Sequence, residues 1–151
     1  PNHKQRKKLF KHLVKALDTH RRVSKVLING AGRKTFCYLL RVAKKWVKRS
    51  CGIKLKITTI FKSNIRIPKG AYLQKLSDFL STGKSIVIAG LQGIHHHWTC
   101  FASVTAKTIK LLDSDGLALL RTSNCCITKK SKPKHHCLHP TNTWGVTIYK
   151  P

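Results

Sequence analysis

The hydrophobic pattern of this chain changes period once, near residue 52, and that change limits what it can fold into. Before it, apolar side chains recur at helical spacing: Leu9, Phe10, Leu13, Val14 and Leu17 in one stretch, then Phe36, Cys37, Leu40, Ala43 and Val47. Lys and Arg fill the other faces, so the spacing predicts amphipathic helices over Lys4–Arg22 and Arg33–Arg49. Val23–Ile28 between them is short and β-branched, Asn29-Gly30-Ala31-Gly32 breaks the chain, and Cys51-Gly52 ends the second helix. From Ile53 the period is two. Ile53, Leu55, Ile57, Thr59 and Phe61 alternate with their neighbours as in a half-buried strand.

Further on, Pro68-Lys69-Gly70 leads into a short helix over Ala71–Leu80 that stops at Ser81-Thr82-Gly83. Strands are predicted at Ser85–Ala89, His97–Val104 and Thr108–Leu112, the last two joined by a hairpin-length connection, Thr105-Ala106-Lys107. Ser114-Asp115-Gly116 reads as a turn. Residues 122–143, rich in Lys, Ser, Pro and His, read as irregular, and Trp144–Tyr149 reads as a closing strand. Helices first and strands after indicate an α+β fold, with N-terminal helices packed on an antiparallel β-sheet. At 151 residues the chain is expected to form a single domain, 1–151, with a helical half over about 1–52 and a sheet half over about 53–151.

Charge narrows the partners. Lys and Arg number 31 against four Asp and no Glu, a net charge of +27, while the 41% hydrophobic content excludes a disordered basic tail. Self-repulsion of that size calls for a polyanion, nucleic acid first. Of the 31 basic residues, 21 precede residue 71, and none lies between Ser85 and Ala106. Lys44, Lys45, Lys48 and Arg49 make the densest patch. Tyr38, Trp46 and Phe61 interleave with the basic residues, either as stacking platforms or as core. With no base-reading motif, binding is expected to be sequence-independent and salt-sensitive. No window is apolar enough to span a membrane and no signal-peptide pattern opens the chain. With no Met, even at position 1, the chain reads as processed or as part of a longer one. The cysteines, at 37, 51, 100, 125, 126 and 137, are too sparse for a disulfide scaffold, so a reducing cytoplasm is expected.

The residues that carry chemistry lie in the sheet half. His95-His96-His97-Trp98 opens one predicted strand and Asp113-Ser114-Asp115-Gly116 closes the next. A hairpin near Ala106 brings His97 beside Asp113, close enough for a carboxylate to orient an imidazole. That pair is the base and orienter of a nucleophilic triad, or else a solvated edge His and a turn-capping Asp.

Tyr72-Leu73-Gln74-Lys75-Leu76, Leu80–Ile88, His97-Trp98 and Ile109–Gly116 together resemble papain-like cysteine peptidases, in particular the bacteriocin-processing leader peptidases and their stand-alone relatives. The resemblance covers roughly residues 70–116. It implies a papain-like fold, a peptide substrate, His97 as general base and Asp113 as its orienter. It also implies a Cys nucleophile near the N-terminus of the first core helix, where the helix dipole lowers its pKa, and a side-chain amide about six residues upstream for the oxyanion. Cys37 is the cysteine placed to serve, but position 31 is Ala. Shifting the register by two puts Asn29 at the amide position and Thr35 at the nucleophile, which describes an inactive or altered enzyme. Cys37 on an apolar helix face also reads as an ordinary core residue.

Cys125, Cys126, His135, His136, Cys137 and His139 are zinc-capable side chains within fifteen positions, though their spacing fits no standard finger. They leave three options: a structural metal, a disulfide from Cys125 or Cys126 to Cys137, or unliganded side chains. His95 and His97 form a further pair with no evident third ligand. No cofactor is expected. The functional expectations are a papain-like thiol hydrolase, a non-catalytic basic nucleic-acid-binding protein on the same fold, and, third, a small structural protein of a ribonucleoprotein or virion-like assembly.

Overall fold

The computed structural model describes residues 2–19, 23–24, 26, 30–61, 67–113, 116–128 and 132–149. Among them are three helices of twelve residues or more, α1 (His3–Thr19), α2 (Arg33–Cys51) and α3 (Lys69–Leu80). The strands are β1 (Lys54–Thr59), β2 (Ser85–Gly93), β3 (Trp98–Val104), β4 (Thr108–Leu112), β5 (Leu119–Arg121), β6 (Cys125–Ile127) and β7 (His136–Tyr149). The fold is α+β. Two compact units divide it: a helical unit that reaches Leu55 and takes in Tyr149, and a sheet unit over Lys56–Ile148.

In the helical unit, α1 begins with a reciprocal cap. The Gln5 amide N–H donates to Asn2 Oδ1 and the Asn2 N–H donates to Gln5 Oε1, both at 2.9 Å, so two orphan donors are satisfied. The helix packs against α2 through the Leu9–Leu13–Leu17 side; Leu17 is buried, while Phe10 is 68% exposed. At the other end of α2, Gly52 takes the left-handed conformation (φ 66°) that a helix C-cap requires and that a side chain disfavours. Val23, Ser24 and Val26 are helical; the rest of the Val23–Ile28 segment lies outside the described residues.

The sheet runs β1-β7-β2-β3-β4-β5, with β6 pairing β7. Its pairs β2–β3, β2–β7, β3–β4 and β4–β5 are antiparallel, and β6–β7 is parallel. Across one face the register lines up Gly145, Val87, Phe101 and Leu111 in one row and Thr143, Ala89 and Thr99 in the next. Tyr72, Leu73, Leu76 and Leu80, one stripe of α3, are buried with Val87, Phe101 and Leu111 of that face in one apolar core. Glycine at 145 is what lets α3 close in, since a Cβ there would collide with the Phe79 ring.

Phe61 belongs to this core. It is 2% exposed and stacks on Tyr72 with ring centroids 4.6 Å apart, which corrects its reading as a stacking platform for a ligand. The Tyr72 hydroxyl donates to Thr143 Oγ1 (2.8 Å), which donates to the His139 carbonyl (3.0 Å). Burial raises the Tyr72 phenol far above its ordinary pKa.

Residues 122–143 are the main departure from expectation. Those that are described, 122–128 and 132–143, hold a short 3-10 turn, β6 and the first half of β7, while 129–131 lie outside the described residues. A bulge makes this possible. Ala89 pairs with Thr143 but Leu91 pairs with Leu138, so β7 loops out around His139–Asn142 and Pro140 needs no ladder partner. The His139 ring stabilises the loop, its Nδ1 accepting from the Thr141 N–H (3.1 Å) and hydroxyl (2.6 Å).

Candidate active site

The β3–β4 hairpin positions the polar pair. Thr105 closes it: its N–H donates to the Thr108 carbonyl at 2.8 Å, and its hydroxyl oxygen accepts from the Thr108 N–H at 3.0 Å. The turn pairs Val104 with Ile109 and Ser103 with Lys110, and a bulge at Ala102 then shifts the register to Phe101↔Leu111 and Cys100↔Leu112. The start of β3 therefore lies beside the end of β4. His97 Nε2 is 2.8 Å from Asp113 Oδ2. The imidazole is 21% exposed and the carboxylate 1%. An acceptor-only carboxylate at that distance holds the proton on Nε2, so the neutral ring carries its lone pair on Nδ1. This is the arrangement of a general base with a buried orienter.

Two more imidazoles adjoin it. The His95 ring lies edge-on to His97 (centroids 5.7 Å) and stacks on His136 (5.3 Å). His136 Nδ1 is buried without a hydrogen-bond partner, and burial, then the neighbouring His95 and His97, hold its pKa below the ordinary value. Glycine at 93 is required here: at φ 90°, a Cβ would run into the His135 and Lys132 carbonyls, so the close approach of this segment to β2 depends on its absence. The sequence marked His136 only as a zinc-capable side chain, and its place beside His95 depends on the β2–β7 pairing.

The cysteines divide by environment. Cys100 sits on β3 three residues after His97, but burial and then the Asp113 charge push its thiol up. Burial pushes Cys125 up to about 11, and burial and then a hydrogen bond with Cys137 raise Cys126. Such thiols are poor nucleophiles at neutral pH. Cys51 is the last residue of α2. Cys37 is the fifth residue of α2, half-buried, in the helical unit. Thr35 is the third residue of α2, and Asn29 lies outside the described residues. Lys44, Lys45, Lys48 and Arg49 are all exposed on α2.

The zinc-capable residues do not converge. Among the described residues no group of three or more His, Cys, Asp or Glu is placed to hold a metal ion. Cys126 and Cys137 are register partners of β6 and β7 with sulfurs 2.9 Å apart, and the Lys132 N–H donates to the Cys137 sulfur at 3.2 Å. The buried Cys125 donates to the Arg121 carbonyl instead (3.4 Å), while His136 turns to His95 and His139 to its bulge. No family model, no curated protein and no solved structure matches this chain. No described helix is long and apolar enough to cross a membrane.

Proposed function

We propose that this protein is a papain-like thiol hydrolase acting on a peptide or amide bond, with His97 as general base, Asp113 as its orienter and Cys37 as nucleophile. The observation that carries the reading is the 2.8 Å bond between His97 Nε2 and a carboxylate that is 1% exposed. A surface His and a turn-capping Asp need no such burial. In the proposed step, His97 Nδ1 takes the proton of the nucleophilic thiol as its sulfur attacks the substrate carbonyl. The imidazolium, held by Asp113, then returns a proton to the leaving amine. Cys37 is favoured because Cys100, Cys125 and Cys126 are held as thiols and Cys51 lies at the wrong helix end. A reducing cytoplasm belongs to this reading, because six cysteines without a disulfide scaffold suit such a compartment.

Iodoacetamide labelling at neutral pH tests it. The wild type should label at Cys37 faster than at its other cysteines. Cys37→Ala should abolish that fast labelling, and His97→Ala should slow it. Fast labelling that survives Cys37→Ala, or a rate that His97→Ala leaves unchanged, would overturn the assignment.

A second reading concerns the helical unit. Lys44, Lys45, Lys48 and Arg49 are exposed together on α2, and the chain carries +27, which favours sequence-independent polyanion binding. It predicts affinity that falls steeply with salt and is unchanged by His97→Ala. Absence of binding to inorganic polyphosphate at low salt would remove it.

A further inference from the structure

Between α1 and α2, within the helical unit, lies a cleft of about 380 Å³. That is inside the range of roughly 300–1,000 Å³ typical of small-ligand sites. Its inner wall is Tyr38, Val42 and Trp46, successive positions of one α2 stripe and all half-buried. Its rim is cationic: Lys45 and Arg49 from α2 and Lys15 from α1, all exposed. The sequence points to Lys45, Arg49 and both rings, but not to Lys15, whose place depends on how α1 meets α2.

Charge and shape together name the ligand. Helix α2 contains no acidic residue and α1 contains one, Asp18, so the rim cannot be neutralised from within these helices. A flat aromatic wall beneath a cationic rim complements a flat ring joined to an anion. A nucleotide has that form: the base offers a π-face to indole or phenol, and the phosphate offers oxygens to Lys and Arg. A base paired inside a duplex has no face to spare, so the fit is to a single strand. Tyr38 lies eight residues before Trp46, about 12 Å along the helix axis, and supplies a second ring on the same stripe.

We propose that the cleft between α1 and α2 takes an unpaired nucleotide of a single-stranded nucleic acid, its base against Trp46 and its phosphate on Lys15, Lys45 and Arg49. This rests on the polyanion reading of the helical unit and narrows it; it is independent of the thiol chemistry. The binding is sequence-tolerant, because every base has a face to stack, and salt-sensitive, because phosphate contacts release counter-ions.

Four probes test it on the full chain: fluorescein-labelled oligouridylate, labelled oligothymidylate, an RNA duplex, and inorganic polyphosphate as a polyanion without bases. Single strands should bind more tightly than the duplex. Trp46→Ala should weaken both single strands about tenfold and leave polyphosphate unchanged. Lys45→Gln with Arg49→Gln should weaken all four probes and flatten the dependence on salt, by about 0.7 per lost phosphate contact in the logarithmic slope for single strands. Circular dichroism reports whether the helices survive. If Trp46→Ala unfolds, Trp46→Leu keeps an apolar side chain without the ring and should show the same selective loss. Equal weakening of oligouridylate and polyphosphate by the Trp46 variants overturns the base site and leaves polyanion binding standing. No binding to any probe overturns both. Binding to phosphatidylserine vesicles with none to either single strand assigns the helices to a membrane surface and also overturns the proposal.

Discussion

Asp113 is 1% exposed, so its charge depends on partners within the protein, and His97 is one of them. The two side chains should therefore couple in stability as well as in chemistry. A double-mutant cycle of His97→Ala and Asp113→Asn, read by urea denaturation, should give a coupling of about 0.5–3 kcal/mol. Additive losses would place the pair among solvent-screened contacts of no consequence. This pair was legible in the sequence because Thr105-Ala106-Lys107 turns β3 back onto β4, although the bulge at Ala102, which shifts the register by one residue, was not. Once the hairpin is recognised, residues on its open ends must meet. His136 was not legible in that way. Its stacking on His95 follows from the β2–β7 pairing, and nothing local announces it. Phe61 shows the reverse error: an aromatic among lysines suggests a ligand platform, yet Tyr72 takes its face.

At the scale of elements, α3 is held to β7 by the chain of hydrogen bonds from Tyr72 through Thr143 to the His139 carbonyl. Thr143→Val removes the acceptor of the Tyr72 hydroxyl and a donor to the His139 carbonyl at a site of zero exposure. The expected loss is about 1–3 kcal/mol for each group left unsatisfied. Tyr72→Phe should cost less, about 1 kcal/mol, since Thr143 keeps its own bond to the carbonyl. Equal losses in the two variants, measured by thermal unfolding, would show that the carbonyl is satisfied elsewhere.

The N-terminal end of β7 also sets a pH dependence. The His136 pKa in the folded protein is below its ordinary 6.5, so below that pH the unfolded chain binds more protons than the native one. The His136 contribution is intact above 6.5 and is lost as pH falls from there toward the depressed value. The melting temperature should drop between about pH 7 and pH 5, and His136→Gln should flatten that drop. An unchanged profile in the variant would assign it to other groups. Helical stripes and the β2–β4 run were readable because their periods are regular. Strands β5 and β6 were not, because three residues each are too short to show a period, nor was the first half of β7, because Pro140 and the polar residues beside it imitate a loop while the bulge that absorbs them is a tertiary event.

For the whole molecule, a net charge of +27 opposes folding by mutual repulsion. Salt should act in opposite directions on stability and on binding. Raising ionic strength from about 10 mM to about 150 mM shortens the Debye length from roughly 30 Å to 8 Å, so the melting temperature should rise while polyanion affinity falls. A melting temperature that falls over this range would mean that ion pairs outweigh the repulsion. The α+β class and the concentration of charge in the helices were visible from composition and period alone. The cleft between α1 and α2 was not, because a cavity belongs to the packing of two stripes and to neither stripe by itself.

The position of β7 has a consequence for how the protein is made. It lies between β1 and β2 in the sheet, yet follows every other strand in the chain. On the ribosome, α1 and α2 can pair from local contacts as soon as they emerge, whereas β2 waits for a neighbour some fifty residues downstream. Until residues 136–149 have been translated, Val87 and Leu91 lack their β7 partners Gly145 and Leu138, and the nascent chain exposes an apolar strand edge. Synthesis therefore passes through a period in which that edge is open to chaperones and to mispairing.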